Sequence, residues 1–153
     1  MNRRPEEPQD IPHLFAEYWN ERNAEGIASL FESEAEFVNV VGLWWHNKED
    51  IRKAHDYGLK VIFNNSQLEV RRVKVKELSD TITLVHARMR LSGQTSHDGV
   101  KTPGARTNIF SFVVRLSPAG WLCASAHNTD VIPGAETNII DKDGRMKSTD
   151  YRK

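Results

Sequence analysis

The first third of the chain spaces its apolar residues as amphipathic helices do. Pro12 suits the first turn of a helix, and aromatic side chains then recur on one face of the segment that follows. Asn23 belongs to the residue types that cap helices, and the apolar residues after it predict a second, shorter helix. A third helix is predicted from His46 or Asn47 to about Phe63. Its apolar side is made of Ile51, His55, Leu59 and Ile62.

Between the second and third helices lies an apolar stretch that we expect to organise the fold. Phe37 to Val41 is predicted to be a strand, Gly42 a turn, and the two tryptophans after it a second short strand. Asn39 is then expected to share a face with the apolar ends of the first strand, because side chains alternate along a strand. A buried amide without partners costs about 1–3 kcal/mol. Two interpretations remain open: a pocket that holds a polar ligand, and an internal hydrogen bond to a neighbouring strand.

From Gln67 onward the apolar residues alternate with polar ones, which is typical of strands. The alternation slips at Arg71 and Arg72, and such a slip predicts a β-bulge that bends the sheet. Four strands are predicted, and they begin near residues 67, 81, 105 and 121. Helices first and strands afterwards predict an α+β fold, in which a curved antiparallel sheet forms a cone over three N-terminal helices.

The length of 153 residues is enough for one domain with a hydrophobic core. We expect residues 1–10 to be a disordered or frayed leader, because this segment is polar and interrupted by proline. Residues 11–131 form the predicted cone domain. Residues 132–153 form a polar tail, which we expect to be ordered only where it contacts a dimer partner.

Charge and cysteine content narrow the classes of function. Lys plus Arg and Asp plus Glu both number 21, and a net charge of zero argues against nucleic acid as the main partner. The basic residues around Arg72 and Lys74 alternate within a strand, so we interpret them as a solvated sheet face. No segment is apolar for long enough to suggest a membrane span, and the single cysteine, Cys123, fits a reducing compartment. We therefore expect a cytoplasmic protein whose partners are neither nucleic acid nor membrane.

Polar residues converge at one end of two neighbouring strands. On the long third strand, the apolar Phe112 and Phe110 are followed on the same face by Asn108 and Arg106. On the last strand, His127 takes the corresponding place, far from the hairpin turn. These positions predict a cavity with an apolar floor and a polar mouth, suited to an amphipathic small molecule. The alternative, polar strand ends that simply leave the core, fits the same pattern equally.

His55 is a second candidate for acid–base chemistry, since it falls on the apolar stripe of the third helix. Such a histidine is either a hydrogen-bonded core residue or a group that exchanges protons near neutral pH. The sequence has no Gly-rich phosphate loop, no nucleophile elbow and no metal-spaced set of Cys and His. We therefore expect neither a cofactor nor a metal.

Several of these residues together resemble the nuclear transport factor 2-like (SnoaL-like) superfamily, and within it the SgcJ/EcaC family. The residues that carry the resemblance are Phe37–Trp45, Ile51, His55, Trp121 and His127–Asp130, within a span from about Leu14 to Asp130. The resemblance implies a cystatin-like cone and, commonly, a homodimer packed through its sheets. Members of the superfamily include steroid isomerases, polyketide cyclases, dehydratases and epoxide hydrolases, and others have no known reaction.

The resemblance also bears on individual roles. The general-base aspartate of the steroid isomerases falls on Asn39, and their proton-donating acid falls on Phe112. Neither side chain can do that chemistry, so the resemblance disfavours steroid isomerisation by the usual route. The carboxylate–arginine–carboxylate set of the epoxide hydrolases has no clear equivalent, although Arg106 is an available cation.

We therefore predict a small-molecule-binding protein and, more specifically, an acid–base enzyme for a polycyclic or polyketide-like compound. The predicted catalytic residues are His55 and His127. The predicted ligand-binding residues are Trp19, Asn39, Trp44, Arg106, Asn108, Phe110, Phe112 and Asn128. The expected partners are a hydrophobic small molecule and a second copy of the chain. The alternative is a non-catalytic dimeric accessory domain, or one that sequesters its ligand without turnover.

Overall fold

The computed structural model describes residues 2–152. Its helices are α1 (Asp10–Asn20), α2 (Ala24–Ser29) and α3 (Lys48–Lys60). Its strands are β1 (Phe31–Val38), β2 (Trp44–Trp45), β3 (Gln67–Glu77), β4 (Ile82–Ser92), β5 (Arg106–Ser117), β6 (Gly120–Asp130), β7 (Thr137–Ile140) and β8 (Met146–Thr149). Helices precede most of the sheet, as the change of hydrophobic period predicts.

Two helix caps lie where the residue types predict them. The side-chain oxygen of Asn23 accepts a hydrogen bond from the Gly26 amide at 2.8 Å, and that of Asn47 accepts from the Asp50 amide at 2.8 Å. Helix α3 ends at Lys60, slightly earlier than the predicted end near Phe63. These caps hold α2 and α3 at their entry points, and α3 carries His55 on its buried side.

Six strands form one sheet in the order β2-β1-β6-β5-β4-β3, in which β1 runs parallel to β6 and the other pairs are antiparallel. The predicted bulge in β3 is present, since the register with β4 shifts between Val70 and Arg72. A second shift, between Val113 and Val114 of β5 and their partners on β6, has no counterpart in the sequence-based prediction. The register of β1 against β6 also shifts, between Phe31 and Glu36, and irregularities of this kind bend a sheet.

The inner face of the sheet meets the helices in a core rich in aromatic rings. Phe15 of α1 lies 5.0 Å from Phe110, and Phe110 stacks on Phe112 at 4.8 Å between ring centroids. The predicted inward residues of β4, among them Val85 and Met89, are fully buried. The helices and strands of residues 10–130 thus surround one hydrophobic core.

Residues 2–9, expected to be frayed, instead contact α1. The Tyr18 hydroxyl donates a hydrogen bond to the carbonyl oxygen of Arg3, and the Arg3 guanidinium lies 2.8 Å from the Glu17 carboxylate. Pro5 is buried. Composition alone suggested a loose leader, whereas the contacts with Tyr18 and Glu17 arise only when the segment folds back. Met1, the first residue of the predicted leader, lies outside the described residues.

The tail contains a hairpin that the sequence pattern did not predict. β7 and β8 pair antiparallel, with Ile140 opposite Met146, and both side chains are exposed. The boundary near residue 131 stays a prediction, as does contact of this segment with a partner; Lys153 lies outside the described residues. None of the helices in residues 2–152 combines the length and the apolar character that crossing a bilayer requires.

Candidate functional site

A cavity of about 310 Å³ opens between the helices and the inner face of the sheet. Most of its lining is aromatic or aliphatic. The predicted site residues that line it are Trp19, Asn39, His55, Arg106, Asn108, Phe110 and Asn128. The lining residues given for this cavity, all within residues 2–152, include no aspartate or glutamate. The geometry therefore offers an apolar cavity with a few polar groups, the common form of a small-molecule site.

His55 reaches the cavity from α3 in a defined orientation. Its Nδ1 atom lies 2.7 Å from the carbonyl oxygen of Ile51, and a carbonyl oxygen only accepts hydrogen bonds. Nδ1 therefore carries the hydrogen, and in the neutral ring Nε2 carries the lone pair. Burial lowers the pKa of His55 below its usual value, and the hydrogen bond to Ile51 opposes this shift in part. At neutral pH the imidazole is uncharged and able to accept a proton.

Aromatic rings account for the desolvation of His55. The Phe37 and Phe15 centroids lie 5.1 Å and 5.7 Å from the imidazole, both edge-on, and Trp19 lies at 6.2 Å. Such neighbours replace water without supplying charge, so they disfavour the imidazolium form. The apolar stripe seen in the sequence thus has an electrostatic consequence for this histidine.

Asn108 and Asn128 form an amide pair across β5 and β6. The Nδ2 group of Asn108 donates to the Oδ1 atom of Asn128 at 2.7 Å. Asn108 is 3% exposed, and its Oδ1 atom has no hydrogen-bond partner within the described chain. A buried carbonyl oxygen left in this state costs about 1–3 kcal/mol. The amide pair therefore holds a buried hydrogen-bond acceptor that is unpartnered within residues 2–152.

Arg106 is not the free cation that the sequence suggested. Its guanidinium forms an ion pair with the Asp130 carboxylate, and both side chains are roughly one-third exposed or less. The Nε group also lies 3.4 Å from Gln94. Sequence reasoning missed Asp130, because the strand phase predicted for β6 turned it outward. The only available signal was two opposite charges at the ends of neighbouring strands.

Asn39 stabilises a turn as well as lining the cavity. Strand β1 ends at Val38, and the Asn39 side-chain oxygen accepts from the amides of Val41 at 3.1 Å and Leu43 at 2.9 Å. The expected shared face with Val41 is wrong, since Val41 is 79% exposed. The amide is satisfied within its own turn rather than by a neighbouring strand. Only its Nδ2 group remains for a ligand.

His127 does not face the cavity, which corrects its predicted place in the site. Opposite Val113 and Val114, β6 holds one extra residue, Ala124. A slip of one residue moves every later side chain to the opposite face of the sheet. Asn128 consequently points inward, while His127 is exposed on the outer face, where it pairs with Ser111.

Trp44 and Phe112 also lie away from the cavity lining. Trp44 is 60% exposed, and its indole donates to the Glu36 carboxylate at 2.8 Å. The adjacent Trp45 takes the lining position, because it pairs with the inward-facing Phe37. Phe112 is fully buried and stacks on Phe110, so it supports the wall from behind.

Comparison with known proteins finds likeness of structure. No protein-family model matches this sequence, and no curated protein matches it either. An uncharacterised protein with a cystatin-like fold from Caulobacter vibrioides superposes with a TM-score of 0.74 at 24% identity, covering 82% of this chain and 87% of that chain. A ketosteroid isomerase-like protein from Erwinia carotovora atroseptica superposes with a TM-score of 0.67 at 10% identity, covering 82% and 95%.

A third solved structure agrees with these two. An NTF-2 like protein of unknown function from Shewanella oneidensis superposes with a TM-score of 0.64 at 14% identity, covering 80% of this chain and 95% of that chain. At such identities the likeness concerns the fold alone. The chain is an α+β protein with the cystatin-like, nuclear transport factor 2-like fold.

Proposed function

We propose that this protein binds a hydrophobic, ring-containing small molecule in the cavity under its curved sheet. The observation that carries this proposal is the unpartnered Oδ1 atom of Asn108, a buried polar atom of a residue that lines a mostly apolar cavity. A cavity lined only by apolar groups is satisfied without a ligand, whereas a buried polar atom without a partner is not. A ligand with rings and one polar group meets both demands.

The volume limits the size of that molecule. An apolar cavity of roughly 150 Å³ accepts one benzene ring. A cavity of about 310 Å³ therefore suits a compound of about two rings and is small for a four-ring steroid. This narrows the polycyclic or polyketide-like class expected from the sequence.

We further propose that His55 is the proton acceptor of an acid–base reaction on this ligand. The hydrogen bond to Ile51 sets the tautomer, and burial keeps the ring neutral at physiological pH. Residues 2–152 contribute no carboxylate to the cavity lining, so His55 is the group best suited to remove a proton from the ligand. Membership of the SgcJ/EcaC family is part of the same proposal. It is supported by the residues that carry the sequence resemblance, among them His55.

The expected homodimer is a proposal that the outer face of the sheet supports. The central strands β5 and β6 place half-buried Ile109, Val113 and Leu122 on that face, and the edge strand β3 adds the charged Arg72 and Lys74. Ser111 and the exposed His127 lie on the same face, and such a mixture of apolar and polar side chains is common in protein interfaces. A second copy of the chain is the occupant that we propose.

The buried cysteine supports a cytoplasmic location within this proposal. Burial raises the pKa of the Cys123 thiol well above its usual value, so the group behaves as an unreactive core residue. A free thiol of this kind fits a reducing compartment.

The test uses 6-propionyl-2-(dimethylamino)naphthalene, an uncharged two-ring compound whose fluorescence emission shifts to shorter wavelength in apolar surroundings. We expect saturable binding to the full chain and loss of binding in Ala54→Trp, which fills the cavity from α3. Ala119→Trp, in the exposed turn between β5 and β6, is the matched control and should bind as the wild type does. Equal binding by both variants contradicts the proposed site. Binding without turnover of any ring compound with an acidic C–H group favours the sequestering alternative.

A further inference from the structure

The amide pair of Asn108 and Asn128 can keep its hydrogen bond in two different arrangements. As assigned, Nδ2 of Asn108 donates to Oδ1 of Asn128 at 2.7 Å. Rotation of both amides by half a turn exchanges donor and acceptor and keeps one N–H to oxygen bond between them. Rotation of one amide alone would bring two oxygens or two amino groups together.

In either arrangement, one hydrogen-bond acceptor and one donor of the pair stay unused. The oxygen of one amide and the amino group of the other have no partner in the pair. For Asn108 the unpartnered atom is buried, and no other residue of the described chain reaches it. Asn108 and Asn128 both line the cavity, and their pair leaves one hydrogen-bond acceptor and one donor unused.

Charge at this end of the cavity is already balanced. Arg106 lines the cavity, but its guanidinium is held by the Asp130 carboxylate. A carboxylate ligand lacks the proton that the free amide oxygen requires and finds no unpaired cation at Arg106. An ammonium ligand finds no carboxylate among the lining residues within 2–152. Both kinds of ion would lose hydration without compensation.

We propose that the amide pair selects a ligand whose ring system carries an uncharged hydroxyl group, as in a phenol or an enol. The hydroxyl hydrogen donates to the free amide oxygen, and the hydroxyl oxygen accepts from the free amide N–H. A hydroxyl is also the smallest group that does both, which suits a cavity of about 310 Å³. This inference rests on the proposed small-molecule function and names its substrate class.

The test compares three ligands with the same two rings on the wild-type full chain at neutral pH. 2-Naphthol donates and accepts, 2-methoxynaphthalene only accepts, and 2-naphthoate is anionic. We expect the Kd of 2-naphthol to be roughly tenfold lower than those of the other two, since each well-made hydrogen bond contributes about that order. Calorimetry or quenching of tryptophan fluorescence gives the three constants, because Trp19 and Trp45 line the cavity.

The variant Asn108→Leu keeps the approximate shape and removes both polar atoms. We expect this variant to bind 2-naphthol and 2-methoxynaphthalene with about equal Kd values. The control variant Asn138→Leu, at an exposed position, should keep the wild-type ratio of the two Kd values. Asn128→Leu gives a second, less buried variant if Asn108→Leu fails to fold. Equal affinity of the wild type for 2-naphthol and 2-methoxynaphthalene overturns the hydroxyl assignment and leaves the cavity as a binding site. Failure of every naphthalene derivative to bind overturns both proposals.

Discussion

The Nδ1 atom of His55 lies 2.7 Å from the carbonyl oxygen of Ile51, one helical turn earlier in α3. This contact determines which ring nitrogen carries the hydrogen and so leaves Nε2 as the basic atom. It also uses a carbonyl that already belongs to the helix, so the ring is oriented without a carboxylate partner. We expect the neutral, buried imidazole that results to affect the stability of the fold.

We expect the free energy of unfolding to decrease as pH falls through about 6.5. Burial lowers the pKa of His55 in the folded state, whereas the unfolded chain titrates near the usual value of about 6.5. Between these two values the unfolded state binds more protons, so acid favours unfolding and the contribution of His55 is fully present above the unfolded value. Urea titrations of the wild type and His55→Gln from about pH 8 to about pH 5 measure it.

The variant His55→Gln provides the control for this pH effect. It should show a flatter curve than the wild type in the same interval. Parallel curves for the wild type and His55→Gln would show that burial of this imidazole does not carry the effect.

The turn after β1 depends on the oxygen of Asn39. Asn39→Leu removes the acceptor for the Val41 and Leu43 amides, and we expect a loss of about 1–2 kcal/mol in the free energy of unfolding. Asn39→Asp keeps an acceptor and should stay close to the wild type. Chemical denaturation of both variants separates the turn contacts from the Nδ2 group. An equal loss in both would assign the effect to the amino group instead.

Gly26 in α2 is constrained by a neighbouring ring rather than by its backbone. A Cβ atom at this position would lie 2.5 Å from Cδ1 of Tyr18. Alanine normally favours a helix over glycine by up to about 1 kcal/mol. Overpacking costs about 1–3 kcal/mol, so we expect Gly26→Ala to be destabilising on balance. The matched control is Gly104→Ala, whose Cβ meets nothing within 4 Å and should change the thermal midpoint little. A higher midpoint for Gly26→Ala would contradict this ranking of the two effects.

Removal of the Asp130 charge should change the charge preference of the cavity. Asp130→Asn releases the Arg106 guanidinium from its ion pair, and we expect 2-naphthoate to bind roughly tenfold more tightly than to the wild type. Glu32→Gln similarly releases Arg115, which lies outside the cavity lining, and should leave this affinity unchanged. No gain in Asp130→Asn would mean that Arg106 does not reach the bound anion. Calorimetry with all three proteins provides the comparison.

The proposed dimer predicts a specific effect at the centre of the outer face. Val113→Glu places a charge at a half-buried apolar position of that face, opposite Leu84, and we expect light scattering to report monomers where the wild type forms dimers. Val100→Glu, in an exposed loop, is the control and should leave the dimer intact. A monomeric wild type at the same concentration would contradict the proposed interface.

Patterns local to the chain determined much of this protein. Period-two alternation correctly placed the inward face of β4 and the Asn108, Phe110 and Phe112 positions of β5, because side chains alternate wherever a strand is regular. Cap residue types correctly predicted the starts of α2 and α3, because a cap acts within three residues of the chain. The cone of an α+β fold also follows from the order of the elements and the bulge signalled at Arg71 and Arg72.

The tertiary structure alone decided which polar residues meet. The extra residue Ala124 in β6 moved His127 to the outer face and left the predicted ligand-binding residue Asn128 on the inner face, and its place depends on register with β5. Pairing across strands likewise brought Asp130 to Arg106, a contact between residues 24 positions apart. The register of β6 against β5 results from packing between distant segments, and the hydrophobic pattern of β6 alone gave no signal of its extra residue.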